Sequence, residues 1–81
     1  MVNLKFFSKT QCPLCDKGLK IVQELQKEFS FQIDVIDIYE DDELLEKYQV
    51  MIPVVTINDQ EIDFGQLSKE TMRKGLQDKI G

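Results

Sequence analysis

Cys12 and Cys15 are the only cysteines in this 81-residue chain. They bracket Pro13 and Leu14, a spacing that lets two sulfurs close a disulfide across about one helical turn. Thiols so placed can exchange with other disulfides. Pro13 is best tolerated at the first position of a helix, where its missing N–H has no intrahelical partner to lose. That makes Cys12 the N-cap and puts Cys15 one turn inside. An N-cap side chain faces the free N–H groups of the first turn, so the Cys12 sulfur should accept from them, the Cys15 N–H included. Those donors and the positive end of the helix dipole favour thiolate over thiol and mark Cys12 as the nucleophile. Cys15, less exposed, would attack a mixed disulfide on Cys12 and release the reduced substrate. The chain has no histidine. An already ionised thiol needs no imidazole base, and Lys9 brings a positive charge close by.

Three plainer readings compete. A structural disulfide here would enclose only Pro13 and Leu14 and close no long loop. A zinc half-site would need two further ligands from a second chain. Two inert core cysteines would leave Pro13 between them unexplained.

The elements that must position this pair can be read from periodicity. Residues 2–7 alternate as a strand, with Val2, Leu4 and Phe6 on one face. A helix is predicted from Pro13 to about residue 29, with Leu14, Val22, Leu25 and Phe29 along one stripe and Leu19 and Ile21 widening it. Gly18 inside it points to close approach of another element. Residues 31–38 are rich in β-branched types and read as a strand. Asp41 and Asp42 offer an N-cap and favourable charge for a second helix to about residue 49. Residues 53–57 form a short buried strand, Asn58-Asp59-Gln60 a turn and 61–64 the return strand. Ser68 caps a last helix to about residue 79, with Leu67 and Met72 spaced as a hydrophobic staple. The order β-α-β-α-β-β-α predicts an α/β fold, one four-stranded mixed sheet flanked by three helices.

Composition narrows the setting. The length suits one domain over residues 1–81, burying roughly 60–65% of its unfolded surface. A net charge of −5 and a pI near 4.6 argue against nucleic acid or an anionic membrane as the main partner. Apolar runs such as Met51-Ile52-Pro53-Val54-Val55 fall far short of a membrane span. Residues 1–7 are too short, and too broken by Asn3 and Lys5, to form a secretory signal. A reducing cytoplasm is the default setting, where a cysteine pair is catalytic or metal-binding more often than a staple. The acidic run Asp37, Glu40, Asp41, Asp42 and Glu43 reads mainly as helix capping and solvated loop.

Residues 7–15, Phe7-Ser8-Lys9-Thr10-Gln11-Cys12-Pro13-Leu14-Cys15, closely resemble the active-site segment of glutaredoxins, with Leu14 where the usual Cys-Pro-Tyr-Cys has tyrosine. Ile52-Pro53-Val54-Val55 resembles the cis-proline loop of the wider thioredoxin superfamily, and the element order matches that fold over nearly the whole chain. A family of small bacterial glutaredoxin-like proteins with a Cys-X-Leu-Cys site fits this pattern.

The resemblance implies a thiol–disulfide oxidoreductase that reduces protein or glutathione mixed disulfides through Cys12 and Cys15. It implies a substrate-binding set of Lys9, Pro13, Leu14, Ile52, Pro53 and Gly65. Pro53 would be cis and face the cysteines, and Ile52 would offer backbone hydrogen bonds to the bound thiol. No metal site and no tightly bound cofactor are implied. Glutathione is a candidate reductant or co-substrate and a flavin-dependent thioredoxin reductase the other electron source. Partners would be disulfide-containing proteins, without nucleic acid or membrane, and the protein a monomer.

Two departures stand out. The Gly-Gly pair and Asp that hold the glutamyl end of glutathione are replaced by Asp63-Phe64-Gly65-Gln66-Leu67, which sets Asp63 near an anionic ligand. The stretch from Phe64 to Lys69 looks instead like the Gly-Ala-Leu-Ser-Lys segment of thioredoxins, while Lys9 keeps the glutaredoxin residue for the glycine carboxylate. An iron–sulfur carrier using Cys12 and glutathione is the alternative in another class, disfavoured by Pro13. A redox-silent binding module is the third.

Overall fold

The computed structural model describes residues 2–80; Met1 and Gly81, which the one-domain expectation also spans, lie outside them. The strands are β1 (Val2–Ser8), β2 (Phe31–Asp37), β3 (Val54–Ile57) and β4 (Gln60–Phe64), and the helices α1 (Pro13–Leu25), α2 (Asp42–Tyr48) and α3 (Lys69–Ile80). The sheet order is β2-β1-β3-β4. β1 runs parallel to β2, and β3 is antiparallel to both β1 and β4. A parallel pair needs a crossover, and α1 provides it. This is the expected thioredoxin-like arrangement. No described helix is long and apolar enough to cross a membrane.

Alternation along the central strands divides the core. Leu4, Phe6, Val55 and Ile57 pack with Val22 and Leu25 of α1 and with Met72 and Leu76 of α3. Phe7 and Val54 face the other way, against Ile38 and Tyr48, with Leu44 and Leu45 of α2 beside them. With both faces covered, all four β3 side chains are buried.

Local chemistry moves several boundaries. Helix α1 stops at Leu25 rather than near residue 29. Residues 26–29 tighten into turns in which the Glu28 and Phe29 N–H groups both reach the Leu25 carbonyl, at 3.0 Å each. The Gln26 amide then bonds the Phe31 carbonyl at 3.1 Å and starts β2. The buried stripe of α1 is Cys15, Gly18, Val22 and Leu25, so Leu14 lies off it. β2 ends one residue early because the Asp37 carboxylate accepts the Tyr39 N–H at 2.9 Å and nucleates a 3-10 turn over Ile38–Glu40. Asp41 caps α2 as expected, accepting from Glu43 at 2.9 Å. Pro53 stays outside β3. The hairpin turn is two residues long: Asn58 and Asp59 both take left-handed φ, 53° and 65°, and Gln60 already pairs with Ile57.

Helices α1 and α3 lie side by side. A Cβ on Gly18 would come 2.6 Å from Leu67 Cδ1, the close approach that glycine suggests. Ser68 Oγ accepts the Thr71 N–H at 3.3 Å and caps α3. Leu67 and Met72 are both buried around that cap. Lys69 reaches Glu24 at 2.9 Å, and Arg73 grips Glu28 with two bonds of 2.9 and 2.8 Å. The hydrogen bond from Lys69 holds the Glu24 carboxyl below its ordinary range, and that from Arg73 does the same for Glu28.

The sign of the acid response follows. Folded-state values below the unfolded ones mean that the pairs contribute fully above the ordinary carboxylate range, and lose that contribution as pH falls through the lowered values. Both pairs are exposed, so the effect is small. Urea midpoints of the protein and of the Glu24→Gln/Glu28→Gln variant should therefore converge as pH drops below 4.5. A constant difference across that range would show that these pairs carry no acid-sensitive stability.

Candidate active site

Cys12 is the N-cap of α1, in extended geometry at φ −124° and ψ 96°, and Pro13 occupies the first turn. The Asp16 N–H bonds the Cys12 carbonyl at 3.0 Å and opens the helix. The Cys15 N–H donates to Cys12 Sγ at 3.1 Å. The two sulfurs lie at bonding distance as a disulfide, with the Cα atoms 5.1 Å apart. Both cysteines are buried, Cys12 at 8% exposed and Cys15 at 4%. Gln11, just before the cap, takes a left-handed φ of 54°. That turn aims the chain from the loop after β1 into the helix, and no Gly or Asn marks it in the sequence.

The sheet assembles the surroundings. Ser8 pairs with Asp37 and Phe7 with Val54. The cysteine loop, Tyr39, Pro53 and Gly65 therefore follow or precede strand ends at one end of the sheet. The Ile52–Pro53 peptide bond is cis, as the resemblance implied. Pro53 is buried, and Ile52 packs against the core cluster that contains Cys12 and Cys15.

Gly65, in left-handed geometry at φ 69°, shares its N–H between the Met51 carbonyl at 2.9 Å and the Pro53 carbonyl at 2.8 Å. This bond pair straddles the Ile52–Pro53 link. Its N–H thus holds the Met51–Pro53 segment instead of being presented to a ligand. Ile52 likewise spends its N–H on the Tyr48 carbonyl at 3.2 Å, while its own carbonyl accepts none of the loop hydrogen bonds among the described residues.

Asp63 does something sequence reasoning missed. One carboxylate oxygen accepts the Phe64 N–H at 2.9 Å and the other the Ser68 N–H at 2.8 Å. The carboxylate closes the loop between β4 and α3, where the sequence suggested only an unfavourable charge near a ligand. An acidic residue five positions before a helix cap was the available signal.

Lys9 and Pro13 are exposed, and Lys9 forms no ion pair among the described residues. Leu14 is 39% exposed. Three further apolar side chains stand open on segments of this end of the sheet: Tyr39, Val50 and Phe64, the last 57% exposed. Each sits in or beside a connecting segment, which hid it from periodicity arguments.

Comparison with known proteins places this geometry. A family model described as a glutaredoxin-like domain (DUF836) matches residues 3–77. A "Probable Thioredoxin" of Methanothermobacter thermautotrophicus is 34% identical over 99% of this chain and 98% of its own length. Its namesake in Methanothermobacter marburgensis is 32% identical over the same shares. The solution structure of a Nitrosomonas europaea protein superposes with a TM-score of 0.83 at 25% identity, covering 93% of this chain and 91% of that one. A Halobacterium salinarum thioredoxin, at 18% identity, shares the fold with a TM-score of 0.75 over 99% of this chain and 75% of its own.

The loop between β4 and α3 yields a stability prediction. A Cβ at Gly65 would meet no atom within 4 Å. Gly65→Ala should therefore cost only its backbone conformation, about 1 kcal/mol. Asp63→Ala strips acceptors from two N–H groups and should cost about 1–2 kcal/mol. Urea unfolding of each variant reads both values; an unchanged Asp63→Ala midpoint would mean that the carboxylate does not hold the loop.

Proposed function

This chain belongs to the glutaredoxin-like domain family, and from that premise we propose that it is a thiol–disulfide oxidoreductase whose Cys12–Cys15 dithiol reduces disulfides in protein substrates. The observation that carries the reading is the Cys15 N–H aimed at Cys12 Sγ at the start of α1. In the reduced protein that donor and the helix N-terminus face the Cys12 sulfur and favour its ionised form.

The Cys12 thiolate attacks one sulfur of the substrate disulfide. A bond forms between Cys12 and that sulfur, the substrate S–S bond breaks, and the second substrate sulfur leaves as a thiolate that takes a proton from water. Cys15 then gives its proton to water and attacks Cys12. The bond from Cys12 to the substrate breaks, its sulfur is protonated, and the Cys12–Cys15 disulfide closes. The substrate gains two electrons and two protons, and an external thiol or dithiol, itself oxidised, restores the pair. Ile52 and Pro53 form the wall beside the sulfurs, and the Ile52 carbonyl offers an acceptor to a substrate backbone N–H. A reducing cytoplasm suits this cycle.

Support for a protein substrate over glutathione comes from the loop after β4. The Gly65 N–H and the Asp63 carboxylate are both used internally, and no Gly-Gly pair stands there. The apolar side chains Leu14, Val50 and Phe64 are exposed on segments flanking the cysteines and Pro53. The same features favour a flavin-dependent reductase as electron source. The exposed Lys9, without an ion pair among the described residues, favours glutathione, the second reading.

Cys12→Ser should reduce turnover of insulin disulfides to background. Cys15→Ser should keep the first attack and accumulate a mixed disulfide visible by mass spectrometry. Full activity in Cys12→Ser would overturn the nucleophile assignment. Thioredoxin reductase with NADPH should reduce the oxidised protein faster than glutathione does; the reverse order would select the glutathione reading.

A further inference from the structure

A groove of about 140 Å³ lies between α1 and the loop before α3, lined by Leu14, Lys17, Gly18, Ile21, Gln66 and Leu67. The α1 members sit at spacings of three and four residues and so share one helix face. Gly18 and Leu67, both buried and in close approach, make the floor. Lys17 and Gln66 are exposed at the rim. The groove begins at Leu14, inside the cysteine motif, and runs away from the sulfurs along the helix.

Its size limits the occupant. A volume of 140 Å³ equals about four or five waters at roughly 30 Å³ each and lies below the ~300 Å³ at which small-molecule sites begin. A space of that size matches one aliphatic side chain. Reach limits it too. Lys17 and Gly18 lie five and six residues beyond Cys12, about 8–9 Å along a helix rising 1.5 Å per residue. An extended chain advances about 3.3 Å per residue, so that distance spans two or three residues. Charge supplies the last term. Lys17 forms no ion pair among the described residues. The net charge of −5 acts on a partner mainly within about 8–10 Å, beyond which salt screens it.

We infer that this groove is a specificity subsite for protein substrates, taking an aliphatic side chain two or three residues from the reactive cysteine, with an adjacent carboxylate on Lys17. The inference rests on the exchange function proposed above.

The test uses the reduced full chain and activated disulfides, read by thiopyridone release. One is 2,2′-dithiodipyridine, which carries no peptide side chain to seat in the groove. The others are short peptides with a 2-pyridyl disulfide on their cysteine and either Leu-Glu or Gly-Lys two and three residues away. The Leu-Glu peptide should react about tenfold faster than Gly-Lys. Lys17→Glu should cut the Leu-Glu rate about fivefold, leave dithiodipyridine unchanged, and regain the loss with a Leu-Lys peptide. Equal rates for the peptides in the unmodified protein, or a Lys17→Glu loss shared by dithiodipyridine, would overturn the subsite. If dithiodipyridine reacts no faster with the protein than with Cys12→Ser, the exchange function itself fails and takes the subsite with it.

Discussion

One hydrogen bond organises this molecule: the Cys15 N–H on Cys12 Sγ. It exists because Pro13 leaves the helix no other starting point, and because Cys12 ahead of it is held in extended geometry. The rest of the fold keeps that helix end still. Cys15, Gly18, Val22 and Leu25 tie α1 to the sheet and to α3. The left-handed Gln11 turns the chain out of the β1 loop and into the cap. A sulfur whose hydrogen-bond donor is fixed by the core differs in reactivity from one on a mobile loop, although the residue is the same.

The Ile52–Pro53 segment is held by other means. Pro53 and Ile52 belong to no regular element, so their position depends on hydrogen bonds from both sides. Tyr48, at the end of α2, takes the Ile52 N–H, and Gly65, after β4, reaches the carbonyls flanking Ile52. Asp63 closes the segment on which Gly65 rides. The Ile52–Pro53 segment therefore depends on the alignment of α2, β4 and α3, three elements distant from the cysteines in sequence.

This division explains which features could be read from the residues alone. Pro13, Asp41, Ser68 and the Leu67–Met72 staple act within a few positions, so their chemistry shows in the local sequence. Gly18 announced a close contact because a glycine inside an amphipathic helix has few other uses. The roles of Asp63, Gln11 and Gly65 depend on what the fold brings beside them. The stop of α1 at Leu25 is similar: apolar spacing continues to Phe29, but Phe31 has to pair beside Val2. The two-residue turn was missed because Asn-Asp is a weaker signal of paired left-handed positions than Asn-Gly. Leu14 was placed on the buried stripe by spacing, but that stripe begins at Cys15.

The double grip of Asp63 also fixes the length of the loop it closes. Phe64 and Ser68 are held to one carboxylate, so an inserted residue would break one bond or the other. Gly65 is constrained by its φ and Leu67 by burial. Phe64, at the end of β4, and Gln66 carry exposed side chains free of such duties. Substitution at these two positions can therefore change the surface at this end of the sheet while leaving the loop and its hydrogen bonds intact.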